Sequence, residues 1–189
     1  MSLQRDIALV LPECRAFVVY GSTEAEPIAH HHIIAPFEER PAFVGGFPVS
    51  FIELKIVNLP SEYDVGLDLS LYETQNIGEI IVSGAHVNQS YIDNPQANRE
   101  NKVHDTDGNI WHRTGDRAYF DEKGCIWLVG RNKDVLSYQG KDIDPYVLEA
   151  PILALDGVRQ AALIMATEQL YLFLSVAFWT QELRDAIRK

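Results

Sequence analysis

Five consecutive residues, Tyr20-Gly21-Ser22-Thr23-Glu24, set an aromatic ring, a glycine, two hydroxyls and a carboxylate directly after an apolar run. Thr23 can donate to a phosphate, Glu24 can hold a hard divalent cation, and Tyr20 can stack on a base. A loop at the carboxyl end of a strand suits such work, because short side chains and backbone donors are exposed there yet held rigidly. The same residues would also serve as a helix cap. A second cluster, Trp111-His112-Arg113-Thr114-Gly115-Asp116, puts a carboxylate just past a glycine that is expected to break a strand. Asp116 can accept from both hydroxyls of a ribose, or act as a turn aspartate bonding its own backbone. A third, Gly130-Arg131-Asn132-Lys133-Asp134, is charged and by itself suits a solvated linker.

The elements that must position these clusters follow from patterning. Residues 4 to 12 form an amphipathic helix candidate, and Ala16 to Tyr20 a buried strand that empties into an irregular stretch reaching about Arg40. That stretch is expected to be a loop covering a site. Gly45-Gly46 and Pro48 punctuate the approach to a strand from Phe51 to Val57, and Ile77 to Ser83 is another. Asn94-Pro95 opens a polar helix ending near Lys102. Two tight turns, Asp105 to Asn109 and Asp121 to Gly124, lie among the β-favouring segments Ile110 to Arg113, Ala118 to Phe120 and Cys125 to Val129. Residues 45 to 129 therefore read as a mostly antiparallel β unit, distorted and barrel-like, with no internal repeat.

After Gly130-Arg131 the texture changes. A strand from Val135 to Tyr138, a turn at Gly140, a helix from Pro145 to Leu155, two strands (Val158 to Met165, Tyr171 to Phe178) and a Thr180-capped helix to Ile187 predict a small α+β domain. The fold class is α+β, with the small domain joined at residues 131 to 134.

Composition bounds the partners. The chain has 189 residues, enough for one ordinary domain or two small ones, and 47% of them are hydrophobic, ample for a core. Its 16 Lys and Arg against 27 Asp and Glu give a charge of -11, which excludes a general nucleic-acid binder and leaves small molecules, including a nucleotide held by a few placed donors. Cys14 and Cys125 read as reduced thiols, consistent with the cytoplasm. The greasiest run, Leu170 to Trp179, is too short for a bilayer, and Met1 to Asp6 lacks the zones of a signal peptide.

The order of the clusters and the residues between them resemble the acyl-adenylate-forming, AMP-binding superfamily of acyl-CoA synthetases, luciferases and peptide-synthetase adenylation domains. Tyr20-Gly21-Ser22-Thr23-Glu24 matches its Tyr-Gly-x-Thr-Glu element. Gly78-Glu79-Ile80, Val82, Gly84, Val87, Tyr91 and Pro95 match its Gly-Glu-[Ile/Leu]-x-Val-x-Gly run. Arg113-Thr114-Gly115-Asp116 is its Arg-Thr-Gly-Asp verbatim, and Gly130-Arg131-x-Lys133-Asp134 with Gly140, Ile143, Pro145 and Glu149 follows its hinge motif. The match covers residues 18 to 150 or so and is closest in flavour to fatty acyl-CoA ligases.

The resemblance implies residue roles. Tyr20, with Gly21 and Ser22 beside it, packs on adenine, Thr23 contacts the α-phosphate, Glu24 ligates magnesium and Asp116 holds the ribose hydroxyls. Arg131 reaches the ribose, Lys133 is the pivot of the small domain between half-reactions, and Gly140 flanks the tunnel for coenzyme A. Thr23, Glu24 and Lys133 are thereby the catalytic candidates. The reaction implied joins a carboxylic acid to ATP as an acyl-adenylate, then to a thiol; a carrier-protein acceptor, lactone closure, or a non-catalytic or split-enzyme module are the alternatives. Residues 1–130 correspond to the carboxyl-terminal part of the large AMP-binding domain, and 131–189 to an incomplete small lid domain after a hinge at Lys133.

Two family elements have no counterpart in the sequence, the Gly/Ser/Thr-rich phosphate loop and the Pro-x-Thr-x-x-Gly-Lys element with the catalytic lysine. The chain is therefore expected to be a carboxyl-terminal fragment, inactive alone, with a homodimer through newly exposed apolar surface as a further expectation. Within the hinge motif, Tyr138 and Asp144-Pro145 stand where a basic residue and Glu-Pro are usual, and Leu148 to Asp156 is compressed. His30-His31-His32 reads as an exposed loop and no metal site, the 105–109 turn as a hairpin without calcium, and Tyr171, Phe173, Phe178 and Trp179 as core and rim packing.

Overall fold

The structure, a computed structural model, describes residue 10, residues 15–32, 42–60 and 66–187. The expected helix over 4–12, apart from Val10, lies outside the described residues, as do Cys14 and the stretch 33–41. Two compact units divide the chain, one made of residues up to 38 and 44–128, the other of 39–43 and 129–189.

The first unit carries the sheet that positions the site. β1 (Phe17–Ser22) and β2 (Ala25–His32) form an antiparallel hairpin with Ser22 opposite Ala25, so Thr23 and Glu24 are its tip. A second strand thus replaces the expected loop: Ala25, Ile28 and Ala29 are fully buried, and their contribution to the core outweighs the irregular sequence around Pro27. β1 is less buried than its apolar run predicts. It ends the sheet order, and Phe17 and Val19 are about half exposed while Tyr20 enters the core. His30, His31 and His32 lie on β2 and not in a loop; Phe17 stacks on His32 at 4.8 Å and meets His30 edge-on.

β3 (Phe43–Pro48), β4 (Glu53–Val57), β5 (Gly78–Ser83), helix α1 (Pro95–Asn101), β6 (Lys102–His104), β7 (Ile110–Phe120) and β8 (Ile126–Arg131) follow. The sheet runs β1-β2-β3-β8-β7-β5-β4, with β6 also on β7. β5 is apolar without alternation because both faces are covered: Ile80 and Val82 join Ile28, Ile56 and Ile126 on one side, while Ile81 joins Val57, Leu69, Val103 and Trp111 on the other. α1 starts where Asn94 caps it, its side chain accepting from Ala97 N at 3.0 Å.

A short repeat is visible once the hairpins are compared. Asp105-x-x-Gly108-x-Ile110-Trp111 and Asp121-x-x-Gly124-x-Ile126-Trp127 are the same pattern, and both fold the same way. In each, one aspartate oxygen accepts two backbone N–H groups of the turn and the other accepts the tryptophan Nε1, at 2.8 Å from Trp111 and 2.9 Å from Trp127. The aspartate thus closes the turn and fixes the ring that follows it.

In the second unit, β9 (Leu136–Tyr138) and β10 (Lys141–Ile143) are joined by Gln139-Gly140, and β11 (Val158–Ala166) and β12 (Gln169–Val176) by Thr167-Glu168; all four turn residues have positive φ, as two-residue hairpins require. α2 (Pro145–Leu153) is tied to β11 by the Glu149 carboxylate, which accepts from Leu163 N at 2.7 Å. The expected cap holds, Thr180 Oγ1 accepting from Leu183 N at the start of α3 (Gln181–Ile187). Tyr171, Phe173, Phe178 and Trp179 are not core; they are 39 to 56% exposed, while Leu163, Leu170 and Leu174 of the β11–β12 hairpin are partly buried. The observed class is α+β with mostly antiparallel sheet.

Candidate functional site

The tip of the β1–β2 hairpin meets the middle of β7 in the first unit. Tyr20 Oη donates to Asp116 Oδ2 at 2.8 Å, joining residues 96 positions apart. Gly21 is needed where the strands close: a Cβ there would lie 2.8 Å from the Ala25 carbonyl oxygen and 2.4 Å from the Glu26 carboxylate. Thr23 is exposed at the tip and Glu24 half-buried behind it. Ser22 Oγ is buried near the Glu24 carboxylate, whose charged form it favours.

Asp116 is aimed by a bulge. The sequence reading broke the strand at Gly115, whereas β7 runs through it, with a register shift that sets Arg113 opposite Ile81 and Arg117 opposite Glu79. Gly115 takes φ +74, a conformation costly for other residues. The bulge is fastened by Thr114 Oγ1, which donates to the Ile80 carbonyl at 2.9 Å and accepts from Asp116 N at 3.0 Å. Glu79 completes it. Its buried carboxylate accepts from Gly115 N at 3.2 Å and, in fork geometry, from Arg113 Nη2 at 2.6 Å and Nε at 3.0 Å.

Glu24 faces a polar cluster that sequence reasoning did not single out. Tyr91 Oη donates to Glu24 Oε1 at 2.9 Å, and His112 Nε2 stands 3.9 Å from Oε2. Lys102 donates to the Asn88 carbonyl and lies over the Tyr91 ring. Burial pushes the Glu24 carboxyl up, but the Tyr91 hydroxyl and its own backbone N–H outweigh it, with His112 adding to them only where that ring is protonated, so the group sits below its ordinary value and is ionised at neutral pH. Burial, helped by Lys102, lowers His112 and leaves it neutral; its Nδ1 proton goes to the Asn101 carbonyl at 3.3 Å. Burial and the bond to Glu24 push Tyr91 up to about 12. Lys102 and His112 are both buried, and such groups require partners; in the sequence they are only polar residues beside Val103 and Trp111, on strands that carry several other polar residues.

The structure therefore brings Tyr20, Gly21, Ser22, Thr23, Glu24 and Asp116 together. Arg131, Lys133 and Gly140 belong to the second unit, Lys133 in a single helical turn over Asn132–Asp134 and Gly140 in the β9–β10 turn. One ionised carboxylate suits magnesium, which keeps most of its waters and takes few protein ligands. Among the described residues no group of three or more metal-ligating side chains occurs, and no helix is long and apolar enough to cross a membrane.

No protein-family model matches the chain. Among curated proteins it is similar to 4-coumarate–CoA ligase 5 of Oryza sativa, 34% identical over 164 residues, covering 86% of this chain and 28% of that enzyme. It is also 28% identical over 152 residues to acyl-CoA ligase sidI of Aspergillus fumigatus, covering 80% of this chain and 24% of the relative. The chain thus spans about a quarter of the length of these relatives. Among solved structures, unliganded O-succinylbenzoate coenzyme A synthetase from Bacillus subtilis superposes with TM-score 0.70 at 22% identity, over 100% of this chain and 39% of that one. Its complex with AMP gives 0.66 at 25%, over 97% and 36%. In sequence and in fold, the chain belongs to the acyl-adenylate-forming, AMP-binding superfamily.

Proposed function

We propose that the chain carries the nucleoside and α-phosphate side of the pocket of an ATP-dependent, AMP-forming acid–CoA ligase, and that these 189 residues do not catalyse adenylation alone. The observation that supports this most is the Tyr20–Asp116 hydrogen bond, which joins two motifs with Glu24 on the same hairpin tip. In this reading Asp116 accepts the ribose hydroxyls, Tyr20 borders adenine and exposed Thr23 donates to the α-phosphate. Glu24, ionised and half-buried, is the residue fitted to magnesium, which when bound would neutralise charge on the phosphates. Arg131, Lys133 and Gly140 keep the ribose, pivot and acceptor roles that the hinge motif implies.

The whole enzyme's reaction would be attack of a substrate carboxylate oxygen on the α-phosphorus of ATP, with pyrophosphate leaving, followed by thiol attack on the acyl carbon, AMP leaving and the thiol proton lost to solvent. The acid is a carboxylic acid of acyl or aryl type, in keeping with relatives named as acyl-CoA and 4-coumarate–CoA ligases. We place the reaction in the cytoplasm, where the buried Cys125 thiol stays reduced. This chain's sequence contains neither a Gly/Ser/Thr-rich phosphate loop nor the Pro-x-Thr-x-x-Gly-Lys element, and losing such donors removes orders of magnitude in rate. Pyrophosphate exchange with ATP and a panel of fatty and aromatic acids should accordingly stay at background for the 189-residue chain; clear turnover contradicts the proposal.

A further inference from the structure

We propose that Tyr91 is a positioning residue for the divalent cation: its hydroxyl, carried on a loop pinned from outside the β1–β2 hairpin, helps to hold the Glu24 carboxylate in the orientation that meets the metal. This rests on the reading of Glu24 as the magnesium ligand given above, and adds to it the loop that follows β5.

The loop grips Glu24 at two points. The Glu24 carbonyl accepts from Asn88 N at 2.7 Å, and Oε1 accepts from Tyr91 Oη at 2.9 Å. Tyr91 shares the carboxylate with other groups: Ser22 and the Glu24 backbone N–H act on it from within the hairpin, and His112 Nε2, on β7, stands 3.9 Å from Oε2. What Tyr91 adds is a hydrogen bond from a separate element. A glutamate side chain rotates about several bonds, the last with a broad profile, so a donor fixed elsewhere in the fold narrows where its oxygens lie. Tyr91 is fixed in that way. One side-chain amide, Asn98 of α1, holds both its backbone groups: Tyr91 N donates to Asn98 Oδ1 at 2.7 Å, and Asn98 Nδ2 donates to the Tyr91 carbonyl at 2.9 Å. The Lys102 ammonium lies 5.2 Å from the centre of the Tyr91 ring and donates to the Asn88 carbonyl, and its charge also attracts Glu24. Val87 enters the core, and the His86 ring meets the Pro27 carbonyl of β2 at 3.1 Å. The loop is thus fastened to α1, β6, β2 and the core as well as to Glu24, the outer-shell support that keeps a metal-ligating carboxylate oriented.

The test uses manganese(II) as a paramagnetic probe, titrated into the 189-residue chain while its amide signals are followed by NMR; affinity is read from the concentration dependence of the broadening. In wild type the signals of Ser22 to Ala25 should broaden first, and Glu24→Gln should remove that pattern. Tyr91→Phe keeps the ring that Lys102 covers. It should weaken manganese binding at the hairpin tip roughly 10-fold, the lower end of what losing an outer-shell partner costs, while amide positions away from Glu24 and Tyr91 stay those of wild type. Asn98→Ala, acting through Tyr91, should shift affinity in the same direction by less. In a Glu24→Gln background Tyr91→Phe should change the residual broadening by under about 2-fold, since the hydroxyl acts through that carboxylate. Equal affinity in wild type and Tyr91→Phe, or an equal loss in the Glu24→Gln background, overturns the positioning role and leaves Glu24 as the ligand. A wild-type hairpin tip that does not broaden, or that broadens as strongly in Glu24→Gln, refutes the metal reading and the positioning role with it.

Discussion

Replacing Glu79 by alanine should destabilise the first unit through the bulge that carries Asp116. The carboxylate is 5% exposed and holds three N–H donors, two from Arg113 and one from Gly115. Breaking a buried pair by removing one partner costs about 3–5 kcal/mol. The Arg113 side chain is 23% exposed, so water recovers part of that, and the Glu100 carbonyl is at the edge of reach at 3.5 Å. The Gly115 N–H loses its acceptor at a bend, which restores about 1 kcal/mol to the cost. The net expectation is a loss of about 2–4 kcal/mol, or a urea midpoint lower by about 1–2 M at unchanged slope. Trp111 and Trp127, both buried in this unit, report its unfolding, and a Trp179→Phe background removes the exposed tryptophan of the other unit. Glu79→Gln, which keeps an acceptor oxygen, should lose less, and Glu79→Leu with Arg113→Leu should recover part of the alanine loss, because no charge is then buried unpaired. A Glu79→Ala midpoint indistinguishable from that of a surface change such as Glu100→Ala refutes the clamp.

Titration gives two independent checks. Tyr91 has a folded value raised above its ordinary 10 to about 12, so its contribution to stability is full below pH 10 and lost as pH rises towards 12; ultraviolet titration should show one fewer high-titrating phenol in Tyr91→Phe than in wild type, while the Tyr146 phenol, also pushed up by burial, stays in both. Burial pushes Asp105 up, but bonds from Trp111, Asn109 and Asp107 more than offset it and its folded value is lowered. Its contribution should therefore be full at neutral pH and lost as pH falls below about 4, its unfolded range. Asp105→Ala should flatten the acid end of the stability profile, and an unchanged acid midpoint contradicts the hairpin clasp.

How much of this was legible in the sequence depends on whether a residue's role is local. The strands around Ile80 and Ile126, the cap at Asn94 and the cap at Thr180 are set by neighbours in the chain, and their pattern is readable. β2 was not: Glu26, Pro27 and three histidines hide the period, and what makes it a strand is pairing with β1 and with β3, a contact made in space. The break at Gly115 was read correctly as a departure from regular strand, but only pairing with β5 shows that the chain bulges and continues. The aromatics of β12 look like core by type, yet their exposure depends on what covers them. Glu79 was read as a motif letter; its function as the acceptor for Arg113 and Gly115 needs the fold.

The central claim is that the β1–β2 tip and the Asp116 bulge form the nucleoside side of one pocket. Mapping amide shifts of the 189-residue chain during titration with AMP tests it directly. The account predicts changes concentrated at Tyr20 to Glu24 and Thr114 to Arg117, with millimolar affinity at best and further weakening in Asp116→Ala. Micromolar binding, or changes that leave those two segments untouched while moving residues elsewhere, such as the groove of about 540 Å³ beside Phe51 and Asn109, would contradict it.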